Sequence, residues 1–281
     1  MDTVIKINRY KGEVCTMSKQ IIEKHPIGHV YGVSLSSADK LTVSGVPHRV
    51  LTENGKRNAF IDFTVDALKE HHISSDDLAR RKNTIAALRI KGLDISNLSP
   101  YPTSETTKRG NFAEVVVAEY INASTSAELP IYRLRYNPNT NQSMKGDDVL
   151  LFDLDSDPVR IIVCESKFRS TPNKKAVTEI LDGLVRSHKG MLPVSLMFVS
   201  ERLYEQGRNE LGEKVLKCAE LFALDKLNID YVGFLLGDGS TSAHIDRSTI
   251  TELHSLLMIS LGVDSPANMV DEAFGRLEAD L

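Results

Sequence analysis

The chain has 281 residues and a formal net charge of −4, with 41% hydrophobic and 26% charged residues. That is too apolar for a disordered chain, and no run approaches the roughly 18–20 apolar residues that span a bilayer. Charge is uneven, +4 over residues 1–100, 0 over 101–190 and −8 over 191–281, so a protein that coats nucleic acid by bulk charge is excluded and basic patches must be local.

The opening MDTVIKINRYKGEV has no apolar stretch of the kind a secretory leader needs. Cys15, Cys164 and Cys218 are far apart, with no CxxC, which argues against a disulfide framework or a structural zinc site. A cytoplasmic protein with no membrane contact is expected.

In chain order, short β-like runs are expected at Thr3 to Ile7, His29 to Val33 and Leu41 to Val46. A helix follows over Phe60 to His72, and Ser74-Ser75-Asp76-Asp77 opens a second one to Leu88. Asp94 to Thr107 holds two prolines and many Ser/Thr and reads as a linker. The boundary placed there separates an N-terminal α+β region, residues 1–100, from residues 101–281. Beyond it come a helix over Asn111 to Asn122, a strand over Ile131 to Tyr136 and a loop through Gly146. Strands at Asp148 to Asp155 and Val159 to Arg169 form a hairpin, followed by a helix over Lys174 to His188. The remaining elements read as a strand at Val194 to Ser200, a helix at Arg202 to Leu224 and a strand at Tyr231 to Leu236. Helices at Ser248 to Leu261 and Pro266 to Leu277 end the series. The fold class is α/β (α+β): a mixed sheet flanked by helices.

The hairpin carries the chemistry. If Ser156 and Asp157 form a two-residue loop, Asp148 lies opposite Glu165, Leu150 opposite Val163 and Phe152 opposite Ile161. A three-residue loop would set Ser166 opposite Asp148 instead. In the first register one face is apolar except at its end, where two carboxylates meet and Lys167 joins them. Like charges opposite each other destabilise a strand pair. A divalent cation resolves the conflict, and oxygen ligands suit Mg²⁺, with Mn²⁺ as substitute. Lys167 fits beside it, binding phosphate or orienting the attacking water. Glu114 shares a helix face with Val117, Ala118 and Ile121, which is expected to pack on the apolar hairpin face, while Glu119 is expected to face solvent. Arg109, Arg169, Lys174 and Lys175 are candidates for phosphate-backbone contact. Cys164 alternates away from this face and reads as a small buried hydrophobe.

The pattern of a helix Glu114, Gly146-Asp147-Asp148-Val149-Leu150-Leu151 and Ile162-Val163-Cys164-Glu165-Ser166-Lys167 resembles the PD-(D/E)xK nuclease superfamily. The resemblance covers roughly residues 108–236 and implies a restriction-endonuclease-like core. It implies Asp148 and Glu165 as metal ligands, Lys167 as the catalytic lysine and Glu114 as the helix carboxylate that completes the site. Asp147 competes with Asp148, which is preferred because it abuts the apolar strand. The segments KRGNFAEVVVAEYI, LPIYRLRYNPNTNQSMKGDDVLLF and RIIVCESKFRS are similar to the HamA family, the nuclease subunits of the bacterial Hachiman antiphage defence system. That resemblance implies a metal-dependent DNA nuclease held in check by a partner helicase (HamB) and released when invading or damaged DNA is sensed.

Two other functions compete. A catalytically silent nuclease-fold module would bind nucleic acid or a partner without cutting, but Asp148, Glu165 and Lys167 are all present. A stand-alone restriction-type endonuclease would need a DNA reader, and residues 1–100 hold no clear helix-turn-helix or zinc motif.

Overall fold

The computed structural model of the chain describes residues 21–93, 98–189 and 192–281. The run at Thr3 to Ile7, Cys15 and the start of the expected linker lie outside the described residues.

A short helix α1 (Val30–Ser34) leads into strands β1 (Leu35–Leu41) and β2 (Pro47–Glu53). Helices α2 (Arg57–His72), α3 (Ser75–Ile90) and α4 (Glu105–Ala123) follow. After a 3₁₀ turn at Arg133–Tyr136 come β3 (Val149–Asp153) and β4 (Val159–Arg169). Helices α5 (Lys174–Lys189), α6 (Leu196–Glu205) and α7 (Asn209–Ala223) precede β5 (Leu227–Gly237). Helix α8 (Thr241–Ser248), β6 (Leu256–Gly262) and α9 (Pro266–Ala279) complete the series.

The six strands form one mixed sheet in the order β1-β2-β6-β5-β4-β3. The four inner strands run parallel, and each edge strand is antiparallel to its neighbour. Alternation along the strands sorts their side chains to two faces. Leu151, Ile162, Cys164, Phe234 and Ile259 pack under α2, α4 and α9. Leu150, Phe152, Ile161, Val163 and Met258 pack under α5, α6, α7 and α8. The expected mixed sheet flanked by helices is therefore the fold. Residues on both sides of the boundary placed at 100/101 share this sheet and the first of these cores. No helix among the described residues is long and apolar enough to cross a membrane.

The structure differs from the expected elements at six places. His29 to Val33 is the N-cap and helix α1, and Leu41 to Val46 is mostly the turn between β1 and β2. Ile131 to Tyr136 alternates like a strand, yet it forms the 3₁₀ turn with Leu134 buried. Val194 to Ser200 begins helix α6, whose Leu196, Val199 and Leu203 recur at helical spacing. The long helix expected from Arg202 to Leu224 is two, broken at Gly207, which takes a positive φ of 74°. The helix expected over Ser248 to Leu261 is strand β6. Its run LLMISLG is buried on both faces between two parallel neighbours, so it lacks the alternation that marks a half-buried strand.

Candidate active site

The β3–β4 ladder pairs Val149 with Cys164, Leu150 with Val163 and Phe152 with Ile161. This is the register of the two-residue-loop reading, although the connecting turn is longer because β3 ends at Asp153. Asp148 lies one residue before the ladder begins. Past Cys164 the edge of β4 has lost its partner, and the Asp148 carboxylate takes over. Its Oδ2 accepts from the Ser166 backbone N at 2.8 Å and from Ser166 Oγ at 3.0 Å. Side-chain capping thus satisfies a backbone donor that would otherwise be orphaned. The site sits at the carboxyl end of β4, where crevices of parallel sheets open.

Gly146 reaches a φ of 114°, which turns the loop inward and delivers Asp147 and Asp148 in succession. The two carboxylates have different surroundings. Asp147 is buried and committed to packing: Oδ1 accepts from Ser187 Oγ at 2.7 Å on α5, and Oδ2 from the Ser195 backbone N at 3.0 Å at the start of α6. Asp148 Oδ1 has no protein donor among the described residues, and neither has Glu165 Oε2. Glu165 Oε1 accepts from Lys167 Nζ at 2.5 Å, which also donates to the Ser166 carbonyl at 3.0 Å.

Glu114 joins by a different route from the expected one. Helix α4 packs on the Cys164 face of the sheet, opposite the face of Leu150 and Val163. Its Glu114 nevertheless lines the same cleft as Asp148, Glu165 and Lys167, around the free beginning of β3. Arg133 Nε stands 3.7 Å from Glu114 Oε1, and Arg133 also donates to the Met144 carbonyl at 3.0 Å, tying the 3₁₀ turn to the loop that presents Asp148. Glu119, expected at the surface, is half-buried and 2.8 Å from His71 on α2. Cys164 is fully buried, and burial raises its thiol well above the ordinary range, as fits a packed hydrophobe.

The carboxylates oppose one another electrostatically. Burial pushes Glu114 up to about 8, with Arg133 pulling down and Asp148 and Glu165 pushing further up. Burial and then Asp148 raise Glu165 to about 7, against the pull of Lys167. Such a cluster favours either protons or a cation. Among the described residues no three His, Cys, Asp or Glu side chains stand in metal-holding geometry. Mg²⁺ needs only one or two carboxylates, with waters and phosphate oxygens for the rest. The uncommitted oxygens of Asp148 and Glu165 fit that requirement.

The cleft has a volume of about 800 Å³. Arg109, Arg169 and Arg186 give it a basic wall. Arg109 lies 5.9 Å from the Phe168 ring, with its buried Nε unpartnered. Arg169 pairs with Glu179. Lys174 and Lys175 do not line the cleft; Lys175 is exposed on the first turn of α5, 3.8 Å from Glu179. Sequence reasoning missed Arg133 and Ser195. Each acts across the fold, and no local spacing marks it.

Fold and site together define a mixed α/β protein with a carboxylate–lysine cleft at the end of its central strands. A family model described as HamA matches residues 19–277. The Hachiman protein HamA of Bacillus cereus is 32% identical over 269 residues, which cover 95% of this chain and 97% of that relative. The chain belongs to the HamA family, and that membership makes it an antiphage defence component.

Proposed function

We propose that this chain is a metal-dependent DNA nuclease of the PD-(D/E)xK type, the effector that a partner helicase of the HamB kind restrains and licenses. One observation carries the reading: Asp148 and Glu165 each keep an oxygen without a protein donor while Lys167 is bonded to Glu165, all in one cleft with a basic wall. Asp148 and Glu165 would hold the ion, with Glu114 completing the site directly or through water. A bound Mg²⁺ supplies stabilisation of the charge that develops on a phosphodiester and acidifies a water. Lys167 Nζ, held by two acceptors, orients the attacking water and meets the scissile phosphate. Arg109 and Arg186 position the strand by its phosphates, which specifies register and not sequence.

The test is incubation with supercoiled and linear DNA in Mg²⁺, Mn²⁺ or EDTA, with and without the helicase partner. Metal-dependent cutting that Glu165→Ala and Lys167→Ala both lack, with fold intact, is expected. Cutting that persists in both variants overturns the reading.

A further inference from the structure

Helix α5 buries Ala176, Val177, Ile180, Leu181 and Leu184 against the sheet. Its inner face also carries a glycine, Gly183. Glycine is a poor helix former because ordering its backbone loses the most entropy. Gly183 lies within the helix and has no positive φ, so no turn calls for it. What calls for it lies above its Cα. A Cβ built on Gly183 would stand 2.6 Å from Cδ, 2.9 Å from Cγ and 2.9 Å from Oε1 of Glu165. These distances are too short for non-bonded carbon and oxygen, and the colliding atoms belong to the carboxylate arm itself. The same helix meets the site twice more, through Arg186 in the cleft wall and Ser187 on Asp147. The close approach has a counterpart in the sheet. Gly233, paired with Glu165 on β5, leaves room for Met258 and Ile180, since a Cβ there would stand 2.5 Å from Met258 Sδ and 2.7 Å from Ile180 Cγ2.

We propose that Gly183 is a positioning residue: the side chain it lacks is the space in which the Glu165 carboxylate is held beside Lys167. The inference rests on the metal-site reading of Glu165. Alanine at this position displaces the carboxylate. The fold survives, because only the flexible Glu165 side chain, from Cγ outward, has to move and alanine favours the helix.

The test compares Gly183→Ala with the wild type by thermal midpoint in EDTA, midpoint shift on adding Mn²⁺, plasmid cleavage with the helicase partner, and crystal structures of both. The EDTA midpoint is expected to stay level or rise. The Mn²⁺ shift is expected to vanish, cleavage to fall about 100-fold, as misplacement of a reacting group by an ångström does, and the Glu165 side chain to change rotamer. In a Glu165→Asp background, one methylene shorter, the added alanine is expected to do less harm than in the wild type. A Glu165 carboxylate that stays in place, or a full Mn²⁺ shift in Gly183→Ala, overturns the proposal. A wild type with neither Mn²⁺ shift nor cleavage overturns the nuclease reading instead, and the Glu165 rotamer still decides the case of Gly183.

Discussion

Alanine at Asp147 and alanine at Asp148 are expected to fail in opposite ways. Removing the Asp147 carboxylate strands a buried donor, Ser187 Oγ on α5, and a half-buried one, the Ser195 N–H at the start of α6. Leaving a buried donor unsatisfied costs roughly 1–3 kcal/mol and a half-buried one about 1 kcal/mol, so the pair amounts to about 2–4 kcal/mol. At about 2–4 °C per kcal/mol for a domain approaching this size, the midpoint falls by roughly 4–16 °C. Removing Asp148 strands the Ser166 donors, but Asp148 itself, unlike the buried Asp147, is half-buried at the cleft, so water takes the place of its carboxylate. The same change relieves Glu165 and Glu114 of a neighbouring negative charge. The net loss is expected to be about 1 kcal/mol or less. Asp148→Ala should therefore be folded and inactive, and Asp147→Ala unstable. Urea titration followed by circular dichroism, run beside plasmid cleavage, separates the two. An Asp147→Ala protein as stable as the wild type, or an Asp148→Ala protein that cuts normally, would refute the assignment.

His72 is neutral in the fold: its Nδ1 donates to the Leu68 carbonyl, its Nε2 accepts from Asn111, and burial lowers its pKa to about 4. The unfolded chain takes up that proton near 6.5, so the stability it contributes is present above 6.5 and is lost as pH falls towards 4, by about 2 kcal/mol at pH 5. Urea unfolding at pH 7 and pH 5 is expected to show that much less acid loss in His72→Gln, and equal losses in both proteins would contradict the argument. Arg109→Ala and Arg186→Ala are each expected to weaken DNA binding and lower the log–log salt slope by about 1, whereas the exposed Lys174→Ala/Lys175→Ala pair leaves both unchanged. Fluorescence anisotropy in EDTA measures this, and an equal loss in the lysine pair would move the DNA path off the cleft.

The hairpin was legible in the sequence because alternation and turn residues constrain one another locally. That is why Asp148, Glu165 and Lys167 could be brought together from spacing alone. The same logic failed at β6, where burial on both faces erases the alternation. It also misplaced α4: an apolar helix face says that it packs, not on which side of a sheet. Glu114 still reaches the site because β3 starts late and leaves the end of the sheet open between its two faces. The roles of Asp147 and Gly183 depend on partners far along the chain, Ser187 and Ser195 for one and Glu165 for the other, and no local pattern records them.

The sheet order ties early residues to late ones. Strand β2 has β1 as its nearby partner, but its other edge pairs with β6, His48 against Met258. During synthesis β2 therefore waits until β6 has been made before its second edge is covered. Such distant pairing makes folding slow, since the loop must close before the contacts stabilise anything. Strands β3 and β4, with the acidic pair and the lysine, are made long before β6 exists to complete the core behind them. A ribosome-bound chain would thus carry every group of the site without the scaffold that aligns it. For a protein whose proposed chemistry is the cutting of DNA, that order of assembly postpones the complete site until β6 has been made.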